Sequence, residues 1–175
     1  TYSVQTGSLA SGESNNNYSM QFLEGNHIHG SVNGDNLNVA ITNNLTISSW
    51  INTNAIGEQQ YIFAYFPDEY DYMQFSMILN ASGQIYFIAG SGNINNNVFE
   101  QGSANVGSTT INANNWYYFT ITYDGATIRL YIDGEEEFEK DIIANFSDYN
   151  DGDFYIGSGL NGSNLDWPFD GLIDD

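Results

Sequence analysis

One continuous stretch of the chain, residues 115–134, has the pattern of antiparallel strands joined by tight turns. It reads NWYYFTITYDGATIRLYIDG. Aromatic and β-branched side chains dominate Trp116–Tyr123 and Thr127–Ile132, and such side chains favour strands. Asp124-Gly125 lies between these segments and Asp133-Gly134 follows them, and Asp-Gly pairs accept the positive φ angles of a hairpin turn. We therefore predict three consecutive antiparallel strands.

The second predicted strand alternates between apolar and more polar side chains. The apolar positions are Ile128, Leu130 and Ile132, and the positions that alternate with them are Thr127, Arg129 and Tyr131. Successive side chains of a strand point to opposite faces of the sheet. This pattern predicts a sheet with one buried face and one face that meets solvent.

The rest of the chain is consistent with an all-β domain. No segment has the apolar 3.6-residue period of a long helix, and clusters of Asn, Gly and Ser separate the strand-like segments. A chain of 175 residues is long enough to bury about 70% of its unfolded surface in one core. We predict one domain over residues 1–175, an antiparallel two-sheet sandwich in which residues 1–17 form an N-terminal arm or strand.

The charge balance limits the partners that this chain can bind. Twenty-two acidic residues are offset by only two basic ones, Arg129 and Lys140, so the net charge is −20. Such a charge excludes nucleic acid and anionic membranes, and it favours cations, neutral glycans or basic surfaces. The absence of cysteine excludes a disulfide framework, and no apolar run approaches the length of a membrane span.

Four segments resemble, in order and spacing, the laminin-G-like branch of the concanavalin A-like jelly rolls. They are Met20–Asn26, Leu45–Ile51, the Trp-led strand with its two Asp-Gly turns, and Phe154–Gly157 followed by Phe169–Asp175. The resemblance spans nearly the whole chain and implies a two-sheet antiparallel jelly-roll sandwich. It does not name a function, because this fold hosts lectins, carbohydrate-binding modules, adhesion domains, structural spacers and glycosidases.

The resemblance also implies a structural calcium ion. Members of the family often hold calcium between an acidic-Gly turn after the first strand and the Asp of a terminal Gly-x-Ile-Asp motif. The matching residues here are Glu24, Gly25, Asn26 and Asp174. This sequence departs from the pattern where Glu24 and His27 replace the expected Asp. Since calcium prefers several oxygen ligands, we predict calcium as the cofactor at these four residues.

Surface aromatic residues form the second candidate site. Tyr65, Tyr70 and Tyr72 lie in or beside an acidic segment, and Trp167 precedes the last motif. Aromatic faces stack on sugar rings, and neighbouring carboxylates accept hydrogen bonds from sugar hydroxyls. We predict these four residues as glycan contacts, although aromatic residues of this chain also have to fill its core.

Catalysis is not expected. Retaining glycosidases of this fold carry Glu-x-Asp-x-x-Glu on one strand, and the nearest match here runs from Glu69 to Gln74. Gln74 stands at the acid/base position, and an amide cannot donate a proton and recover it. His27 and His29 would lie on the same side of a strand, so transition-metal ligation is an alternative to their being surface histidines.

The two ends of the sequence add a further expectation. The given sequence begins at Thr1 and ends at Asp175, and the family continues from the matching position into one more strand beside the first. We expect the edge beside Tyr18–Leu23 to be filled by Thr1–Leu9 of the same chain, by that segment of a neighbour, or by residues beyond Asp175, because open edges promote aggregation.

These observations together predict an extracellular, microbial recognition or adhesion module that is non-catalytic, calcium-stabilised and glycan-binding. The alternative is a self-assembling subunit of a filament or sheath, joined by donation of the N-terminal strand to a neighbour. A glycoside hydrolase is the third hypothesis.

Overall fold

The computed structural model describes residues 3–4, 9–11, 18–23, 26–31, 44–67, 75–89, 107–141, 152–161 and 164–174. All regular elements within these ranges are strands. The same ranges contain no helix of the length and apolar character needed to cross a membrane.

The described residues form fifteen strands. In chain order they are β1 (Ser3–Val4), β2 (Leu9–Ser11), β3 (Tyr18–Phe22), β4 (Ile28–Ser31), β5 (Leu45–Thr53), β6 (Gln60–Pro67), β7 (Phe75–Leu79), β8 (Ile85–Ala89), β9 (Tyr117–Tyr123), β10 (Thr127–Ile132), β11 (Glu135–Asp141), β12 (Gly152–Ile156), β13 (Gly159–Asn161), β14 (Asn164–Asp166) and β15 (Gly171–Asp174).

The strands form two large antiparallel sheets and one small hairpin. A six-stranded sheet has the order β1-β4-β12-β6-β7-β8, and a seven-stranded sheet has the order β11-β10-β9-β5-β15-β3-β2. Strands β13 and β14 pair with each other. In both large sheets many neighbours are distant in sequence, as in a jelly roll. The predicted all-β, two-sheet antiparallel jelly-roll sandwich is confirmed.

The main core lies between the two large sheets. Its fully buried side chains include Ile51, Phe119, Ile121 and Leu130 from the seven-stranded sheet, Ile62, Met77 and Phe87 from the six-stranded sheet, and Phe169 from the segment before β15. Burying such side chains is the main favourable term in folding.

The predicted meander of three strands is present as β9, β10 and β11. Strand β10 covers the predicted residues Thr127–Ile132, and its three predicted inward residues are buried while the alternate ones are partly exposed. Both predicted turns use positive φ angles, which are 94° at Gly125, 52° at Asp133 and 86° at Gly134. The Asp-Gly pairs therefore do what the turn geometry requires of them.

The N-terminal segment supplies an edge strand to each sheet. Strand β2 pairs with β3, with Leu9 opposite Met20, while β1 pairs with β4 in the other sheet. The edge beside Tyr18–Leu23 is thus filled from the same chain, with only Leu9 drawn from the segment Thr1–Leu9. Strand donation to a neighbour was expected because this edge would be empty, and β2 occupies it.

Candidate functional site

The outer face of the six-stranded sheet carries a second cluster of aromatic side chains. Its buried members are Tyr61, Ala64, Phe66, Ile78, Tyr86 and Tyr155, and the partly buried Ile88, Leu160 and Trp167 pack against them. The outer face of an antiparallel sandwich is usually polar and solvated. The aromatic outer face of this sheet is therefore a candidate binding surface.

Trp167 is held beside this sheet in an unusual backbone conformation. Its φ is 45°, a region that bulky residues rarely adopt, and the other non-glycine residues with positive φ in the described chain are an Asn and an Asp. Two hydrogen bonds fix the backbone, since Tyr61 N donates to Trp167 O at 2.8 Å and Trp167 N donates to Asp166 Oδ1 at 3.1 Å. Such strain costs about 1–3 kcal/mol and is frequent at ligand sites.

The Trp167 ring stacks on the ring of Tyr61. Their centroids are 5.3 Å apart and the planes differ by 19°. Tyr61 is only 2% exposed, whereas Trp167 remains partly accessible. Tyr61 therefore acts as a rigid support that holds one aromatic ring at the surface.

Polar groups surround this aromatic pair. Gln59 Nε2 donates a hydrogen bond to the hydroxyl of Tyr86 at 3.2 Å. Burial raises the pKa of Tyr86 to about 12. Burial also raises the pKa of Tyr61, and the negative charges of ionised Tyr86 and of Asp166 raise it further. Both phenols stay protonated at neutral pH, and that of Tyr61 lies near the Asp166 carboxylate. We call Gln59, Tyr61, Tyr86, Asp166 and Trp167 the Trp167 site.

The two histidines lie at another part of the same face. His29 stacks on Tyr155 at 4.7 Å between centroids, and His27 contacts the same ring at 5.9 Å. His29 Nε2 is 3.1 Å from Asp153 Oδ2, an ion-pair distance, but the geometry is not that of a hydrogen bond. The described residues contain no group of three His, Cys, Asp or Glu side chains that could hold a metal ion. The histidine rings pack on Tyr155.

Of the two predicted glycan contacts that lie within the described residues, Trp167 is partly exposed and Tyr65 is buried. Tyr65 is 6% exposed and belongs to the main core, so its ring faces away from solvent and its position does not support the predicted contact. Tyr70 and Tyr72 lie outside the described residues, as do Glu69 and Gln74. Sequence reasoning missed Gln59, Tyr86 and Asp166, although Asp166 adjoins Trp167 in the chain.

Two of the four predicted calcium ligands, Asn26 and Asp174, lie within the described residues, and the structure does not bring these two together. The first and last predicted strands pair as β3 and β15, with Phe22 opposite Gly171. Since β15 rises about 3.3 Å per residue, Asp174 lies about 10 Å along the sheet from the level of Phe22. Asn26 comes after Phe22, on the side of Phe22 that faces away from Asp174. Asn26 and Asp174 are therefore too far apart to bind the same ion.

Asp170, rather than Asp174, lies at the end of β15 that is nearer to the turn after β3. Its Oδ1 accepts a hydrogen bond from Asn54 Nδ2 at 2.8 Å, and its N donates to Gln60 Oε1 at 3.0 Å. These bonds join the residue before β15 to the loop after β5 and to the start of β6. The other two predicted ligands, Glu24 and Gly25, lie outside the described residues.

The family of the chain follows from its sequence and agrees with this fold. A laminin G family model, described as the concanavalin A-like lectin/glucanases superfamily, matches residues 24–175. The match covers most of the chain, which therefore belongs to this superfamily, as the resemblance implied. A search of curated proteins finds no match.

Several solved structures share the fold. Domain 4 of AbnA, a GH43 extracellular arabinanase from Geobacillus stearothermophilus in complex with arabinotriose, is 18% identical with a TM-score of 0.60, covering 97% of this chain and 73% of that chain. The Ruminococcus gnavus IT-sialidase CBM40 bound to α2,3-sialyllactose is 14% identical with a TM-score of 0.61, covering 76% and 73%. Domains LG4-5 of the mouse laminin α1 chain are 14% identical with a TM-score of 0.65, covering 99% of this chain but 44% of that chain. Identities this low show the fold alone.

Proposed function

We propose that this chain is a non-catalytic carbohydrate-binding domain and that the Trp167 site contacts the sugar. The observation that carries the proposal is the strained backbone of Trp167, which holds a partly accessible ring on a buried tyrosine beside a carboxylate. Two structures with the same fold are described with bound oligosaccharides, arabinotriose and sialyllactose. Those ligands support a sugar as the class of ligand to test.

The chemistry of the site suits a sugar ring. One face of a pyranose or furanose carries C–H groups that stack on an aromatic ring, and Trp167 supplies that ring. The Asp166 carboxylate accepts hydrogen bonds from hydroxyls, and the partly exposed Gln59 offers an amide, whereas Tyr86 is buried. The buried Tyr61 supports Trp167 and does not contact the ligand. A few convergent polar groups beside an aromatic face are typical of small-molecule sites.

Electrostatics favour a neutral sugar over an acidic one. The two basic residues of the sequence, Arg129 and Lys140, lie on β10 and β11 in the other large sheet. Arg129 contacts Asp124 at 3.0 Å and Glu139 at 2.6 Å, so its charge is already paired. With a net charge of −20 and a carboxylate in the site, the carboxylate of a sialic acid would be repelled.

Isothermal titration calorimetry with neutral oligosaccharides, beginning with arabinotriose, and with sialyllactose tests this proposal. We expect a neutral oligosaccharide to bind at least about tenfold more tightly than sialyllactose. Trp167→Ala should weaken that binding about tenfold or more, because an aromatic anchor is lost. Leu165→Ala, an exposed position on β14 two residues earlier, is the matched control and should bind as the wild type does.

Two results would contradict the proposal at different levels. Unchanged binding by Trp167→Ala would mean that the sugar binds elsewhere. Failure of the wild type to bind any neutral oligosaccharide would remove carbohydrate binding itself. Release of reducing sugar from the bound oligosaccharide would instead indicate an enzyme, against the expectation from Gln74.

The same proposal places the domain outside a microbial cell, as a recognition or adhesion module. Polysaccharides are extracellular or surface polymers, and an acidic domain without cysteine needs no disulfides to fold there. Protease digestion of intact source cells provides the test. We expect loss of the protein from cells with unbroken membranes, and full protection would place it inside.

A further inference from the structure

Two tryptophans are exposed on or beside the seven-stranded sheet, whereas the Trp167 site lies on the six-stranded sheet. Trp50 on β5 and Trp116, just before β9, are each 41% exposed. The ring of Trp50 packs on Tyr118 with centroids 5.0 Å apart and an angle of 46° between the planes. The sequence has three tryptophans in all, so two of the three lie at solvent-exposed positions on or beside one sheet.

The strand ladder places hydrogen-bonding groups on both sides of the Trp50 ring. Tyr118 lies opposite Trp50 on β9, and Asp174 lies opposite it on β15. Neighbouring strands are about 4.8 Å apart, and alternate residues of a strand about 6.6 Å apart. Asn52 is the next residue of β5 on the same face, and Trp116 precedes Tyr118 by two residues. We call Trp50, Asn52, Trp116, Tyr118 and Asp174 the Trp50 surface.

Hydroxyl side chains predominate around the Trp50 surface, and Leu172, opposite Asn52 on β15, is an apolar neighbour. The outward positions that continue along β5 and β9 are Thr46, Ser48, Thr120 and Thr122. A stable protein interface needs about 800 Å² on each partner and an apolar centre, and a few aromatic rings among hydroxyl groups do not supply it. The sugar rings of a polysaccharide fit such a platform better, since each has an apolar face and a rim of hydroxyls.

We infer that the Trp50 surface is a second binding site, which takes a neutral polysaccharide chain on the opposite side of the sandwich from the Trp167 site. Trp50 and Trp116 stack on sugar rings, and Asn52 and Asp174 bond to their hydroxyls. The carboxylate of Asp174 and the net charge of −20 exclude polyanions. One short oligosaccharide cannot occupy sites on both outer faces at once. A polysaccharide matrix can occupy both, which raises the avidity of binding.

Affinity electrophoresis through gels that contain a neutral polysaccharide tests this inference separately from the proposed function. The probes are arabinan, mixed-linkage β-glucan and xylan. In at least one gel, Trp50→Ala should weaken the apparent affinity for the polysaccharide about tenfold or more. In the same gel, Trp167→Ala should still be partly retarded. Thr46→Ala, an exposed position on the same face of β5, is the matched control and should migrate as the wild type does. The double variant Trp50→Ala with Trp167→Ala should show no retardation.

A second measurement does not depend on removing Trp50. The variant Trp116→Phe with Trp167→Phe retains Trp50 as the single tryptophan, and its fluorescence is quenched by acrylamide. The polysaccharide that retards the protein should lower the quenching constant at least twofold, because the occupied ring is shielded. Unchanged quenching at saturating polysaccharide would overturn the inference.

The remaining outcomes also decide between the two sites. Full retardation of Trp50→Ala with none for Trp167→Ala would overturn the second site and leave the proposed function intact. The reverse result would support the Trp50 surface and remove the Trp167 site. A wild type that no neutral polysaccharide retards would overturn both. Sedimentation of the wild type as a dimer that Trp50→Ala converts to monomers would assign the surface to a second copy of the chain.

Discussion

At the scale of single residues, the phenols of Tyr61 and Tyr86 link the Trp167 site to the stability of the fold. Both rings lie on the outer face of the six-stranded sheet and are nearly inaccessible to solvent. Burial is the largest cause of the raised pKa of each, which reaches about 12 for Tyr86 against a usual value of 10.0. Burial thus favours the neutral hydroxyls in the folded chain. In strong alkali the same effect favours unfolding, because the hydroxyls ionise more readily in the unfolded chain.

We predict that the free energy of unfolding falls as pH rises from about 10 to 12. In this range the unfolded chain has released protons that the folded chain still binds, so each pH unit favours unfolding. The contribution is complete below pH 10 and is lost as pH rises through the folded pKa. In Tyr86→Phe the decline should be shallower, as measured by urea unfolding at pH 8, 10 and 11.5. An equally steep decline would mean that Tyr86 ionises normally in the folded state.

Single residues were also where sequence reasoning reached its limit. Tyr61 and Tyr65 are four residues apart and would share a face in a regular strand. The register of β6 against β7 shifts between Tyr61 and Phe63, so Tyr61 faces outward and Tyr65 faces the core. A bulge of this kind reverses every side chain beyond it and leaves no clear mark in the sequence. This is why Tyr65, which the sequence suggested as a surface residue, faces the core.

At the scale of strands, the close contact of β15 with β5 depends on Gly171. A Cβ atom built at Gly171 would overlap the carbonyl oxygen of Asn52, which is backbone and cannot turn aside. We predict that Gly171→Ala destabilises the fold by about 1–3 kcal/mol, the usual cost of overpacking. Chemical denaturation measures the loss.

Gly107→Ala is the matched control for this substitution. A Cβ atom at Gly107 would lie 3.3 Å from the Glu137 carboxylate and 3.4 Å from the Ile85 carbonyl oxygen, which is close but without the overlap found at Gly171, so a smaller loss is expected. Equal losses for the two variants would show that lost backbone freedom, rather than the contact with β5, determines the effect at Gly171.

The pairing of strands was predicted better than its register. Local alternation and Asp-Gly turns were enough to locate β9, β10 and β11, because their partners are adjacent in sequence. The calcium hypothesis required the turn after β3 to meet the last residues of the chain, but the ends that meet depend on residues about 150 positions apart. Antiparallel register places Asp170, not Asp174, near the turn after Phe22. The sequence suggests candidate ligands for such a site, but it does not determine which of them lie close together in the fold.

This register gives a test for calcium. We predict that Asp174→Asn shows the same difference in Tm between calcium and EDTA as the wild type does, because Asp174 is distant from the turn that contains Asn26. Thermal unfolding in each solution measures the difference. Loss of a calcium-dependent increase in Tm on substitution would make Asp174 a ligand and contradict the register. Glu24→Gln is the companion variant, since Glu24 adjoins that turn in sequence.

At the scale of the whole molecule, the N-terminal segment joins the two halves of the sandwich. Strand β1 pairs with β4 at an edge of the six-stranded sheet, and β2 pairs with β3 at an edge of the seven-stranded sheet. Two short strands from one segment therefore cover an edge of each sheet. Covering edges in this way is a common means by which β proteins prevent association with other chains.

We predict that deletion of residues 1–11 lowers Tm by several degrees and causes concentration-dependent association through the exposed edges of β3 and β4. The deletion removes the backbone partners of both strands, and unpaired backbone groups at an edge recruit other strands. Thermal unfolding and size-exclusion chromatography at two protein concentrations measure the two effects. Deletion of residues 1–2 alone, which leaves β1 and β2 in place, is the control. If the longer deletion stays monomeric with the Tm of the full chain, the edge strands have no protective role. If instead the full chain associates and the deletion abolishes that association, the N-terminal segment pairs with a neighbour, as the filament hypothesis requires.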